Sequence, residues 1–168
     1  MDEKYFSITL DRKNQGPVLI ASAEGGVNIE EISEKRPEAI KILPIDVQKG
    51  LSDEEARNYV KSLNYTGDLI EQAKEIVMKI YKAFVETDSL MIEINPLATV
   101  IINGKHQVMV LDSKVSIDEN AAYRQKEISD SIDNSNKNPS EIEAEKYNLN
   151  FIRLDGNIGC LVNGAGKY

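Results

Sequence analysis

The sequence has one cysteine, one histidine and no tryptophan, and it is short of positive charge. Cys160 alone cannot close an internal disulfide, which implies a reducing compartment or a fold that needs no covalent staple. His106 has no cysteine or acid at triad or metal spacing and reads as a surface residue. Twenty Lys and Arg against 28 Asp and Glu leave a net charge of −8, which excludes a broad phosphate-tracking face for DNA or RNA. An acidic chain can still hold a nucleotide through local backbone amides and a metal ion. No apolar run, Ile158–Val162 included, approaches the roughly 20 residues that cross a bilayer. Met1-Asp-Glu-Lys4 has no apolar signal core behind it, so membrane and secretory readings are set aside. P-loops, zinc spacings and nucleophile elbows are missing too. What is there, 168 residues with 41% hydrophobic and 29% charged, suits one ordinary domain or one domain plus a stub.

Alternation from Tyr5 to Asp11, a polar turn to Gly16 and a second apolar run from Pro17 to Ser22 predict a hairpin with a longer loop. Val27 to Lys35 suits a short helix stopped by Pro37, and Ile40 to Ile45 an extended piece. Ser52 stands three residues ahead of Glu55, a capping box for a helix to about Leu63. From Asp68, the apolar residues Leu69, Ala73, Ile76, Val77, Ile80, Tyr81 and Phe84 mark the buried face of a longer helix. Leu90 to Ile94 reads as a buried strand that Asn95-Pro96 interrupts; Leu97 to Ile102 resumes until Asn103-Gly104 turns the chain back through His106 to Leu111. Residues 119 to 149 are polar, with 129 to 139 as loop and Ser140 and Glu143 spaced as a second capping box. Asn150 to Leu154 and Asn157 to Val162 return to strand patterning, with Cys160 as a buried filler.

Chemistry concentrates in a few places. Alternate strand residues share a face, so Glu93 and Asn95 point the same way, and Asp112 ends the strand that returns beside Asn95. A few hard oxygen donors, completed by water and phosphate, suit Mg²⁺; acids at strand ends are also often merely solvated. Glu93 within Leu-Met-Ile-Glu-Ile calls for a partner or a task, because a buried unpaired carboxylate costs several kcal/mol. Asn163-Gly-Ala-Gly166 after a strand can turn amides toward an anion or be an ordinary turn. Glu24-Gly25-Gly26 carries the same two readings, a sharp strand exit being the plainer one.

Five blocks, Ala21-Ser-Ala-Glu-Gly-Gly-Val27, Met91-Ile-Glu-Ile-Asn-Pro-Leu97, Leu111-Asp-Ser-Lys114, Asp118-Glu-Asn-Ala121 with Tyr123-Arg-Gln125, and Leu154-Asp-Gly-Asn-Ile-Gly-Cys-Leu-Val-Asn-Gly-Ala-Gly166, resemble in order the succinate–CoA ligase (succinyl-CoA synthetase) β-subunit family of ATP-grasp proteins. The resemblance implies an α/β (α+β layered) fold. Residues 1–135 would be the carboxyl-terminal part of an ATP-grasp domain, a mostly antiparallel sheet packed by helices. Residues 136–150 would be a linker helix, and 151–168 the first strand of a flavodoxin-like CoA-ligase domain. It implies interconversion of succinate, CoA and ATP or GTP with succinyl-CoA, ADP or GDP and phosphate, in the tricarboxylic acid cycle. The reaction runs through a phosphohistidine on a partner α subunit. By motif match Asn95 and Asp112 would be Mg²⁺ ligands, Glu93 the acid holding the phosphohistidine, Glu3 a nucleotide contact, and Asn163 with Gly164 and Gly166 the substrate turn. The family's subunit is more than twice this length, so the chain reads as a fragment, inactive alone. A malate–CoA ligase-like subunit and a non-catalytic partner-binding remnant are the rivals. The compartment would be bacterial cytoplasm or mitochondrial matrix, according to source.

Overall fold

A computed structural model describes residues 2–26, 29–131, 138–147 and 149–163, and its contacts divide the chain into two units, residues 1–130 and 131–168. In the first unit the alternating N-terminal segment forms β1 (Asp2–Asp11), which hairpins into β2 (Gly16–Ser22) in the register Tyr5↔Ser22 to Asp11↔Gly16. The short helix α1 (Ile29–Lys35) follows, then a single 3₁₀ turn at Pro37–Ala39 and the edge strand β3 (Ile40–Pro44). The helices α2 (Asp53–Ser62) and α3 (Leu69–Glu86) come next. Three strands complete the sheet: β4 (Ser89–Ile102), β5 (Lys105–Val110) and β6 (Ser113–Ile117). The strand order is β3-β2-β1-β4-β5, with β6 also on β4, and every pair is antiparallel.

Where local chemistry dictates an element, the structure has it. Ser52 Oγ accepts from the Glu55 N–H at 3.2 Å while Glu55 Oε2 accepts from the Ser52 N–H at 3.0 Å, the reciprocal box that satisfies two orphan donors at the start of α2. Asn103 and Gly104 both take positive φ, 51° and 76°, as a two-residue hairpin turn of this hand requires, and they join β4 to β5. Ala73, Val77, Ile80 and Phe84 of α3, three or four residues apart, turn one face inward. With Ala56, Tyr59 and Val60 of α2 and Leu63 at its C-cap they cover Phe6, Ile8, Leu19, Ala21, Ile92, Ile94, Leu97 and Val108 of the sheet. Lys4 is buried on that same side. Its Nζ is held 2.9 Å from Asp2 and lies 5.0 Å from the centre of the Tyr65 ring, so the charge is paired rather than stranded.

The strand expected to break at Asn95-Pro96 does not break. β4 runs through it as one 14-residue strand, with a cis peptide between the two residues. Against β1 it carries one extra residue, since Lys4 faces Leu97 while Phe6 faces Ile94. A proline, lacking an N–H to give to a ladder, fits at such a bulge. The extra residue switches which positions face the helices, from Ile92 and Ile94 before it to Leu97 after it. On its other edge β4 changes partner at the same place. β6 pairs with Ser89–Ile94 and β5 with Leu97–Ile102. The strand β6 was not expected from the sequence, although Val115 and Ile117 alternate with polar neighbours as a short strand should.

The Tyr123-Arg-Gln125 block acts as a brace. Arg124 donates from Nη2 to Asp88 Oδ1 at 2.7 Å and from Nε to Asp88 Oδ2 at 2.9 Å, and Gln125 Nε2 adds a third bond at 2.7 Å. It thereby ties the segment after β6 to the turn between α3 and β4. The Arg124 and Gln125 bonds hold the Asp88 carboxyl down at about 2, below its ordinary value. A depressed carboxylate stabilises the fold above its unfolded pKa near 4, and that contribution is lost as pH falls toward 2. Asp88→Asn is therefore expected to show less loss of urea midpoint between pH 5 and pH 2 than the unaltered chain. Parallel curves for the two would remove Asp88 from the acid response. The helix α4 (Lys126–Ser131) follows this brace.

The second unit holds α5 (Pro139–Glu145). Its cap is Asn138, whose Oδ1 accepts from the Ser140 N–H at 2.9 Å; the Ser140–Glu143 box expected from the sequence is not used. Pro139 explains the shift, because a proline belongs at the first helical position and so puts the cap one residue before it. The strands expected at 150–154 and 157–162, the latter as the opening of a CoA-ligase domain, are a second correction, since no strand forms among the described residues there. Patterning supplies a strand's faces but not its ladder, and among the described residues no strand accepts the backbone bonds of this segment. Leu154, Ile158 and Leu161 are accordingly exposed, and so is Cys160, which is not the buried filler expected. Among the described residues of both units no helix is long and apolar enough to cross a membrane.

Candidate functional site

One loop gathers two of the site residues singled out in the sequence, Glu3 and Asn95. At the end of β2 the chain turns through Ala23-Glu24-Gly25-Gly26 and packs directly on β1. The Gly25 N–H donates to the Glu3 carbonyl at 2.8 Å. A methyl placed on Gly25 would stand 2.5 Å from the backbone N and C of Lys4, so only glycine lets the loop lie this close. At Gly26 φ is +69°, and a methyl there would come within 2.4 Å of Glu3 Oε2, which puts the Glu3 carboxylate against this residue. The Gly26 N–H then donates to Asn95 Oδ1 at 3.0 Å. Glu24, beyond its own N–H bond to Ser22 Oγ at 3.2 Å, receives both ends of the Arg36 guanidinium, from Nη1 to Oε1 at 2.6 Å and from Nη2 to Oε2. The diglycine thus orders the side chains of Glu3 and Asn95 around one turn, a role between the anion cradle and the simple strand exit considered from the sequence.

Asp112 lies beside Asn95 where β4 changes partner. The Asn95 N–H donates to the Asp112 carbonyl at 3.4 Å, and the Leu111 N–H to the Pro96 carbonyl at 3.2 Å. The exposed Asp112 carboxylate accepts from the Ser113 N–H at 2.8 Å through Oδ1. Asn95 Oδ1 keeps a lone pair beyond its bond to Gly26, and a carboxylate has further acceptor capacity beyond one N–H. Among the described residues no group of three or more His, Cys, Asp or Glu gathers as an all-protein metal cage. Two oxygen donors, one in β4 and one in the link between β5 and β6, are the kind of set that fits Mg²⁺, which keeps most of its shell as water and phosphate oxygen.

Glu93 shares the sheet face of Asn95 but meets other partners. Phe6 and Ile8 point to the core, so Glu3, Tyr5 and Ser7 alternate onto the opposite face, and Ser7 stands directly across from Glu93. The Glu93 side is half-buried, not enclosed as the apolar run around it suggested, because only Ile92 and Ile94 of that run face the helices. Its partner is the Tyr5 hydroxyl, which donates to Glu93 Oε2 at 3.2 Å. The sequence reading missed Tyr5; its place two residues from Glu3 in an alternating strand was the available signal. His106, in β5, is exposed as expected. Asn163 belongs to the second unit and is exposed, and Gly164 and Gly166 lie outside the described residues.

The chain is similar to known proteins along almost its whole length. It is 46% identical over 164 residues to the mitochondrial β subunit of ADP-forming succinate–CoA ligase from Saccharomyces cerevisiae, covering 98% of this chain and 38% of that protein. It is 48% identical over 164 residues to the ADP-forming β subunit from Bacillus subtilis, covering 98% and 42% respectively. It thus spans about two fifths of the length of these relatives. Among solved structures, ATP citrate lyase from Methanothrix soehngenii, in complex with citrate and coenzyme A, has the same fold with a TM-score of 0.65 at 17% identity. That match covers 87% of this chain and 32% of that one. Residues 1–99, from β1 through most of β4 and including the diglycine turn with Glu3 and Asn95, match the ATP-grasp domain model: the chain belongs to the ATP-grasp family.

Proposed function

We propose that this chain supplies part of the nucleotide and phosphohistidine site of a succinate–CoA ligase β subunit. The observation that carries the reading is the convergence of Glu3, Gly26, Asn95 and Asp112 where β4 changes partner, on the sheet face that also carries Glu93. In this reading Asn95 and Asp112 hold Mg²⁺, Glu3 meets the nucleotide, ATP or GTP, and Glu93 accepts an N–H from the phosphorylated imidazole of an α subunit. Mg²⁺ when bound supplies the positive charge that neutralises developing phosphoryl charge, which an acidic chain does not itself provide. Asn163, with Gly164 and Gly166, would meet the substrate carboxylate. The chain's own work is alignment. The sheet fixes the spacing between the nucleotide end, at Glu3 and Asn95, and the histidine end, at Glu93.

Residues 1–135 would then be ATP-grasp domain, 136–150 a linker helix, and 151–168 the start of a CoA-ligase domain whose ladder lies elsewhere in the assembled subunit. The compartment would be the cytoplasm in a bacterium and the mitochondrial matrix in a eukaryote. The test is a chimera in which this chain replaces the corresponding stretch of the Bacillus subtilis β subunit, assembled with its α subunit. Mg²⁺- and nucleotide-dependent phosphohistidine and succinyl-CoA are the expected products. A chimera that assembles and binds CoA yet forms neither product would overturn the reading.

A further inference from the structure

We propose that Tyr5 is a positioning residue that sets Glu93 through its hydroxyl; this rests on the role given to Glu93 above. Tyr5 is only 5% exposed although it lies on the sheet face away from the helical core. It stands across from the one point where β4 holds its extra residue. Its hydroxyl reaches diagonally along β4 to Glu93 Oε2 at 3.2 Å, while Ser7, 3% exposed, occupies the β1 position directly opposite Glu93.

This arrangement does something for the carboxylate that a solvated strand residue lacks. A glutamate on a half-buried face has three side-chain torsions to sample. A buried, rigid phenol holding one oxygen selects one orientation and leaves Oε1 to be offered to an incoming imidazole N–H. Burial pushes the Tyr5 phenol up from its ordinary value, against the lowering effect of Ser7, so the hydroxyl remains a donor throughout the working pH range. Tyr5 does not touch the reacting atoms; its contribution passes entirely through Glu93.

The experiment is a double-mutant cycle in the assembled αβ chimera, read as the rate of histidine phosphorylation from Mg²⁺ and nucleotide. Tyr5→Phe keeps the ring and removes only the donor; unfolding midpoint and α-subunit assembly serve as controls. The expected result is a rate lowered about tenfold or more, the loss typical of a hydrogen bond to a charged group, with the KM values for nucleotide, succinate and CoA unchanged. In a Glu93→Ala background Tyr5→Phe is expected to have no further effect. A Tyr5→Phe enzyme at the unaltered rate, beside a slowed Glu93→Ala, overturns the proposal and leaves the role of Glu93 standing. An equal loss in both backgrounds also overturns it, since Tyr5 would then act on the sheet and not on the carboxylate. A Glu93→Ala enzyme at the unaltered rate overturns the role of Glu93 itself.

Discussion

On the proposed assignment, replacing Asn95 or Asp112 by alanine in the assembled αβ chimera is expected to lower Mg²⁺-dependent succinyl-CoA formation by about a hundredfold or more. Where the protein offers two oxygens and leaves the remaining positions to water and phosphate, losing one halves what fixes the ion to the sheet. The two variants should differ in a second readout. Asn95 also receives the Gly26 N–H at 3.0 Å, so its loss frees the turn that presses on Glu3, and the KM for nucleotide should rise with it. Among the described residues the Asp112 carboxylate accepts from its neighbour Ser113 at 2.8 Å and from no other element, so its variant should respond chiefly to added Mg²⁺. Steady-state rates across a Mg²⁺ titration decide the matter. Turnover near the unaltered level in both variants would remove the pair from the site.

Phe6→Ala should cost about 3–5 kcal/mol of stability in the first unit, which lowers its Tm by roughly 10–20 °C. Phe6 is fully buried and lies at the centre of the sheet, between Ala21 of β2 and Ile94 of β4. Its ring meets Tyr59 of α2 edge to face, with centroids 6.4 Å apart and planes at 72°. Truncation removes the transfer energy of the ring and leaves a cavity under a helix that is itself capped, so the surroundings have little room to collapse. Thermal unfolding followed by far-UV circular dichroism measures the cost. A loss below about 1 kcal/mol would mean that the helices repack over the gap.

Much of the first unit was legible because its determinants are local. Ser52 and Glu55 meet within one turn, Asn103 and Gly104 make their own reversal, and the face of α3 repeats every three or four residues. The features that build the candidate site are not local. The bond from Gly26 to Asn95 spans 69 positions and that from Tyr5 to Glu93 spans 88, distances over which spacing carries no information. Asn95-Pro96 read as a break because a proline in a strand usually is one, and only the pairing with β1 reveals a bulge. The opposite error occurred at 150–162, where apolar alternation promised strands for which the described residues offer no ladder. Asn138 was hidden for a smaller reason: Ser140 and Glu143 carried the familiar spacing, and the proline that moved the cap stood just ahead of them.

The turn at Asn103-Gly104 limits how the arm it closes can vary in length. Registration along β4 and β5 is counted from Leu97↔Val110 at the base to Ile102↔Lys105 at the tip. Adding one residue to each strand lengthens the arm and carries the turn outward while Asn95 and Asp112 keep their places. Adding one residue to a single strand would reverse the faces of everything between the insertion and the tip. Growth of this arm is therefore quantised in matched pairs, and within that rule its length is free to drift without displacing Asn95 and Asp112 at its root.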